Sequence, residues 1–150
     1  MQTYIDLNTL IKTSVLGMFF GTSSLLLIEN LVSKLFGKDS TPILKFISKI
    51  FNNKNIKFCI IISYLFGFFS SIVYIIVAIK LNSNYILTTL ILGLANGLLI
   101  AFINQALLAN KEIGSFNRKQ NKGLETIILI ISHLIFGLMV GLILSVYEIL

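Results

Sequence analysis

The chain has 150 residues, of which 56% are hydrophobic, and its formal net charge is +6 at pH 7. This composition leaves no room for a separate soluble domain beside the long apolar stretches described below. The one cysteine, Cys59, excludes a disulfide within the chain and fits no metal-ligand spacing.

Four long stretches carry no charge when His133 is counted as neutral. They cover 16, 22, 30 and 22 residues, namely Thr13–Ile28, Phe58–Ile79, Leu81–Asn110 and Thr126–Tyr147. A bilayer core about 30 Å thick is crossed by about 20 helical residues. The sequence therefore predicts an all-α integral membrane protein: an antiparallel four-helix bundle that forms one transmembrane domain over residues 1–150. The spans are expected near residues 10–33, 57–80, 85–109 and 124–148.

The N-terminal segment MQTYIDLNTLIK has neither the basic region nor the small-residue cleavage site of a signal peptide. The first apolar stretch is therefore expected to remain in the protein.

A short amphipathic segment separates the first two predicted spans. Its apolar residues fall on one face of a helix, with lysines opposite: Ile43, Phe46, Ile47 and Ile50, widened by Leu44 and Phe51. Thr41 suits the N-cap and Pro42 the first helical position. The pattern predicts a helix near residues 42–52 that lies in the membrane interface and attracts anionic lipid headgroups. A surface helix that only covers the end of the bundle fits the pattern equally well.

The distribution of basic residues predicts the topology. Of the 12 basic residues, 10 lie in the two long connectors, at Lys34, Lys38, Lys45, Lys49, Lys54, Lys57, Lys111, Arg118, Lys119 and Lys122. The positive-inside rule places both connectors in the cytoplasm and both termini outside a cell membrane. Four tyrosines are then expected near the outer interface, at Tyr4, Tyr74, Tyr85 and Tyr147.

Small residues recur at four-residue spacing in every predicted span. Such stripes allow helix backbones to approach closely and gain packing contacts that lipid does not supply. The residues predicted to pack helices in this way are Gly17, Gly21, Gly67, Gly93, Gly97, Gly137 and Gly141.

Polar side chains at similar depth form a predicted layer inside the spans. Counted from the cytoplasmic ends at about 1.5 Å per residue, Glu29 lies about 6 Å in, Ser63 and Asn104 about 9 Å, and His133 about 12 Å. Ionisable residues inside a membrane are costly and suggest function. One hypothesis is a Glu29–His133 pair, assisted by Asn104, that binds a proton, a cation or a polar substrate. It requires His133 to have a partner about 3 Å away, among Asn104, Ser63 and Glu29.

The alternative hypothesis is structural. Polar side chains in spans often hydrogen-bond across a helix seam, where each bond contributes only about 1 kcal/mol. Asn96, deeper in the third span, is interpreted in this way. In the same vein, Glu29 is close enough to the end of its span to reach lipid headgroups.

The sequence shows no arrangement of catalytic, cofactor-binding or metal-ligating residues, so we expect neither an enzyme nor a bound cofactor. The basic connectors lack the interleaved aromatic residues typical of nucleic-acid binding, and none is expected. The prediction is a non-enzymatic accessory or assembly component of the membrane, with a homo-oligomer or another membrane protein as partner. The alternatives are a small transporter or channel subunit that uses Glu29, Asn104 and His133, and a bacteriocin-immunity-type protein.

The last span, ISHLIFGLMVGLILSVYEIL, resembles the C-terminal helix of small uncharacterised four-span membrane proteins of Gram-positive bacteria, the YqhR-like group. The shared feature is an aromatic-Gly-Leu-x-x-Gly core followed by a glutamate. The resemblance implies a four-span fold and no particular activity. The Lys-rich first connector departs from that group, in which both termini would lie inside. The charge pattern is also similar to that of four-span subunits of mitochondrial inner-membrane protein translocases, whose characteristic loop sequences are missing here.

Overall fold

The computed structural model describes residues 6–36, 41–81, 84–109 and 122–149. All regular secondary structure in these ranges is helical. The elements are α1 (Leu7–Leu16), a π-helical turn (Gly17–Gly21), α2 (Thr22–Leu35), α3 (Pro42–Ile50), α4 (Ile56–Leu81), α5 (Tyr85–Ala109) and α6 (Lys122–Ile149). Four helical stretches are long and apolar enough to cross a membrane: Leu7–Leu35, Ile56–Leu81, Tyr85–Leu107 and Gly123–Tyr147. The predicted all-helical fold with four long apolar helices is confirmed.

The first long helix, Leu7–Leu35, is made of α1, the π-helical turn and α2. It begins at Asp6, whose Oδ1 accepts a 2.9 Å hydrogen bond from the backbone N–H of Thr9. This bond and a second one from the Thr9 hydroxyl lower the pKa of the Asp6 carboxyl. The π-helical turn lies within the span that the sequence predicts near residues 10–33, and no sequence pattern indicated it. Both glycines at its ends are buried.

α5 and α6 pack with their backbones in contact. A Cβ added at Gly97 would lie 3.0 Å from the Cα of Ile130, and one added at Gly137 would lie 3.2 Å from the Cα of Gly93. Distances this short leave no space for a side chain, so glycine is what permits the approach. Of all helix pairs in the described residues, α5 and α6 pack most extensively.

The other predicted packing glycines also lie at helix contacts. Gly17 faces Ser71 of α4 and Gly21 faces the ring of Phe136 in α6. Gly67 faces Thr22, and Gly141 faces Ile86 and Thr89. Every long helix therefore meets a neighbour at a residue that has little or no side chain.

α6 lies at the centre of the assembly. Half of its apolar stretch is buried within the chain, compared with 28% in each of the other three. Its buried side chains include Leu129, Phe136, Val140 and Leu144. Tyr74 of α4 packs edge-on against Phe136, with 5.7 Å between ring centroids, and its hydroxyl donates a 3.0 Å hydrogen bond to the carbonyl of Leu92. Tyr74 is therefore an interior residue, and its predicted place as an interfacial anchor is corrected. Tyr4 lies outside the described residues.

α3 turns its apolar face toward the long helices. Ile43, Phe46 and Ile47 are buried, at 7%, 6% and 1% exposure, and α3 packs against α2, α4 and α6. These three residues thus have the covering arrangement, in which they contact protein, whereas Ile50 and Phe51 on the same face are 46% and 44% exposed. α3 ends at Ile50, two residues before the predicted boundary, and Asn52 then adopts a left-handed backbone conformation with φ of 49°.

The α5–α6 contact predicts that Gly137→Ala destabilises the protein, since the new methyl group would collide with the backbone of Thr89 and Gly93. The expected loss is about 1–3 kcal/mol, the usual cost of forcing extra bulk into a packed interior. It would be measured as a lower thermal midpoint in detergent micelles. Gly123→Ala in the same helix is the matched control, because no atom lies within 4 Å of its added Cβ. Equal midpoints for the two variants would contradict backbone contact between α5 and α6.

Candidate functional site

Glu29 of α2 is fully buried and binds the start of α3. Its Oε2 accepts a 2.8 Å hydrogen bond from the backbone N–H of Ile43, and its Oε1 accepts a 3.0 Å hydrogen bond from the hydroxyl of Ser132 in α6. Ile43 is the second residue of α3, where a backbone N–H has no partner within its own helix. The N-terminus of a helix also carries a partial positive charge that favours an acidic side chain. Glu29 therefore caps α3 from another helix.

The expected capping role of Thr41 is only partly met. Thr41 does occupy the N-cap position and Pro42 follows it, as predicted, but the Thr41 side chain makes no capping hydrogen bond. Its hydroxyl oxygen is buried and has no partner among the described residues. The capping acceptor comes from Glu29, 14 positions before Ile43 in the chain.

Two lysines attach the outer face of α3 to the second half of the chain. Lys45 Nζ lies 3.5 Å from Oε1 of Glu125 in the first turn of α6. Lys49 Nζ donates a 3.3 Å hydrogen bond to Oδ1 of Asn104 in α5. Together with Glu29, these contacts connect α3 to α2, α5 and α6.

A cavity of about 300 Å³ lies between α2, α3, α4, α5 and α6. α3 contributes its apolar face, through Ile43, Phe46, Ile47 and Ile50. The remaining wall is mostly apolar and includes the ring of Phe136. Five polar side chains complete the wall: Thr22, Ser63, Ser70, Asn96 and His133.

The polar atoms of the cavity wall are only partly engaged within the protein. Nδ1 of His133 lies 2.7 Å from the carbonyl oxygen of Leu129, one turn earlier in α6, and Ser63 donates a 2.8 Å hydrogen bond to the carbonyl of Cys59 in α4. A carbonyl oxygen only accepts, so Nδ1 carries the hydrogen, and in the neutral ring Nε2 is left as an acceptor. The hydroxyl oxygen of Thr22 has no partner among the described residues either, but it is buried against Gly67 of α4 and does not open into the cavity.

The four predicted site residues fall into two groups. Glu29 and Asn104 hold α3, whereas Ser63 and His133 line the cavity. The hydrogen bond that His133 makes runs within its own helix, and not to Asn104, Ser63 or Glu29 as the polar-site hypothesis required. Glu29 is buried in the protein, so the alternative in which it reaches headgroups is corrected as well.

Sequence reasoning missed the Ile43 amide, Ser132 and Thr22. One signal was available for the first of these. The apolar helix contains a lone carboxylate, which needs hydrogen-bond donors. The short helix that follows begins with Thr-Pro, and its first backbone N–H groups need acceptors. Ser132 and Thr22 carry no such signal, because hydroxyl residues are common in apolar helices and usually bond their own backbone.

Within the part of the chain that the structure describes, no group of three His, Cys, Asp or Glu side chains is arranged to hold a metal ion. No protein-family model, curated protein or solved structure matches the chain.

The anchoring of α3 predicts that Glu29→Ala loosens this helix, because the Ile43 amide would be buried without an acceptor. A buried unpaired group costs about 1–3 kcal/mol. In a Cys59→Ala background, Ile47→Cys reports the change, since position 47 is only 1% exposed. We expect Glu29→Ala to raise maleimide labelling at this position by roughly tenfold or more.

The matched control is Thr41→Ala. Losing an N-cap threonine usually costs about 1 kcal/mol, but here the side chain makes no capping bond and labelling should stay unchanged. Labelling that rises with Thr41→Ala and not with Glu29→Ala would show that Thr41, and not Glu29, caps α3.

Proposed function

We propose that the chain is a multi-pass protein of the cell membrane in which four antiparallel spans form a bundle, and that it acts as a non-enzymatic accessory or assembly component. The observation that carries this proposal is which groups the polar side chains inside the spans bind. Glu29 and Asn104 bind α3, and the bonds made by His133 and Ser63 run to carbonyls of their own helices. This supports a structural role for the layer over a relay of protons or ions.

The membrane arrangement is supported by length, apolarity and helix contacts. As residue numbers increase along α5, the residues they contact in α6 decrease in number. The pairs are Ile86 with Gly141, Gly93 with Gly137, Gly97 with Ile130 and Gln105 with Thr126. The same order relates the first long helix to α4, through Gly17 with Ser71 and Ser23 with Tyr64. These contacts favour antiparallel neighbours. The resemblance of the last span to the YqhR-like group also supports four spans, but it implies no activity.

The orientation is inferred from charge. Three exposed lysines flank α3 in the chain: Lys34, Lys54 and Lys57. Lys12 and Lys80 lie near the opposite ends of the first and second long helices. The positive-inside rule then places α3 in the cytoplasm and both termini outside. The three exposed lysines are suited to anionic headgroups. Lys38, Lys111, Arg118 and Lys119, which the charge argument also uses, lie outside the described residues.

A small transporter or channel subunit is the second candidate. The cavity favours it, because His133, Ser63 and Asn96 line a space between the helices. An accessory protein would instead use its exposed apolar helix faces to bind another membrane protein or a second copy of itself.

The inferred orientation predicts opposite labelling of two exposed lysine positions. In a Cys59→Ala background, Lys54→Cys should react with a membrane-impermeant maleimide only after the cells are opened, whereas Lys80→Cys should react in intact cells. Both lysines are exposed, so burial does not decide the result. The reverse pattern would place both termini in the cytoplasm.

The accessory role predicts no transport by the protein alone. Vesicles containing the purified protein and a trapped pH dye should respond to an imposed proton gradient at the same rate as empty vesicles, and an added ionophore provides the positive control. Proton flux that disappears with His133→Ala and is not restored by His133→Asn would overturn the accessory role in favour of proton exchange.

A further inference from the structure

We propose that the cavity between α2, α3, α4, α5 and α6 binds a neutral, hydroxyl-bearing amphiphile from the bilayer, of the size of a medium-chain alcohol. This inference goes beyond the accessory role and takes only membrane insertion from it. Four properties of the cavity carry it: its volume, the unused acceptors on its wall, the lack of charge in its lining and the apolar residues at its edge.

The volume sets the size of the occupant. An engineered protein cavity of about 150 Å³ binds benzene, and natural ligand pockets start at about 300 Å³. The cavity here, at about 300 Å³, is therefore twice the benzene-binding one and holds on the order of a dozen non-hydrogen atoms. That space suits one alkyl chain of moderate length and its terminal group, and it is too small for a two-chain phospholipid.

The wall offers hydrogen-bond acceptors that the protein does not use. The Ser63 hydroxyl donates its hydrogen bond to the carbonyl of Cys59, so the lone pairs of its oxygen can still accept one. His133 keeps Nε2 as an acceptor, because Nδ1 carries the hydrogen. A ligand that donates an O–H would satisfy one of these groups, whereas a pure hydrocarbon would leave them all unpaired.

The lining excludes a charged head group. None of the residues that line the cavity is an Asp, Glu, Lys or Arg. The charged side chains of α3 are engaged elsewhere, Lys45 with Glu125 and Lys49 with Asn104. A carboxylate or ammonium group in the cavity would have no partner of opposite charge, and burying an unpaired charge is far more costly than burying a hydroxyl.

The edge of the cavity permits entry from the side. Phe66 of α4, Ile50 of α3 and Ile103 of α5 line the cavity and are also 51%, 46% and 37% exposed. α5 packs much more extensively on α6 than on α4, so the two helices that follow each other in the chain leave room between them. In a bilayer this opening would face the hydrocarbon, where a hydrophobic alcohol is concentrated.

The test is photolabelling in lipid nanodiscs with a diazirine-bearing decanol, followed by mass spectrometry of the labelled residues. We expect saturable labelling at residues that line the cavity, on α4, α5 and α6. An excess of decanol should suppress it, whereas decyl methyl ether, which cannot donate a hydrogen bond, and decanoate, which is charged, should compete at least tenfold less well.

Ser63→Ala and Ser71→Ala form a matched pair of variants. Each removes a buried hydroxyl of α4, but only Ser63 lines the cavity. Ser63→Ala should weaken competition by decanol about tenfold, the effect of one lost hydrogen bond of about 1.4 kcal/mol, and Ser71→Ala should not change it. Thermal midpoints of both variants check that the fold is retained.

Three results would overturn the proposal: labelling that does not saturate, equal competition by the ether or by decanoate, or equal effects of the two variants. Failure of the accessory role would appear separately, as proton flux in the vesicle assay. Because the label is read at named residues, the result does not depend on which side of the membrane α3 faces.

Discussion

The hydrogen bond from the Ile43 amide to Glu29 is the interaction on which the arrangement of this chain depends. A carboxyl group buried in an apolar helix is costly without donors, and the first turn of a short helix is costly without acceptors. Each supplies what the other lacks. Through Ser132, the same carboxyl also reaches α6, the most buried of the long helices. One side chain therefore joins the first long helix, α3 and the centre of the assembly.

The position of α3 in turn determines the cavity. With its N-terminus fixed at Glu29, α3 lays its apolar residues across the space between α4 and α5. That space exists because the helices pack unevenly. α5 and α6 touch through their glycines, whereas α4 and α5 remain further apart, so the chain is dense on one side of α6 and open on the other. Ser63 and His133 lie where the open side meets the polar layer, and both line this space. Thr22 also lines it, but its hydroxyl oxygen is buried against Gly67 of α4.

Much of the fold follows from the sequence, because it depends on properties that are local in the chain. The apolar stretches give the four long helices, and Pro42 marks the first residue of α3. Four-residue glycine spacing identifies the seams without identifying the partners: Gly137 meets Gly93, whereas Gly21 meets an aromatic ring. The π-helical turn at Gly17–Gly21 has no such local signature, and neither does the burial of Tyr74.

The candidate site was harder to predict, because it depends on which groups meet in space. Helical projection correctly turns His133 toward the interior, but it does not show that Leu129, one turn away, supplies an acceptor. The residue type of Glu29 suggested a charged partner such as an imidazolium. Its actual partner is a backbone amide, which every residue except proline possesses and which side-chain patterns therefore do not reveal.

Amide hydrogen exchange at Ile43, resolved by NMR in micelles or nanodiscs, tests the central claim most directly. An amide at the second position of a helix ordinarily has no intrahelical partner and exchanges quickly. If Glu29 caps α3, the Ile43 amide exchanges slowly, at a rate comparable to amides inside the long helices, and Glu29→Ala removes this protection. Exchange at Ile43 as fast as in an exposed peptide, with Glu29 intact, would contradict the account.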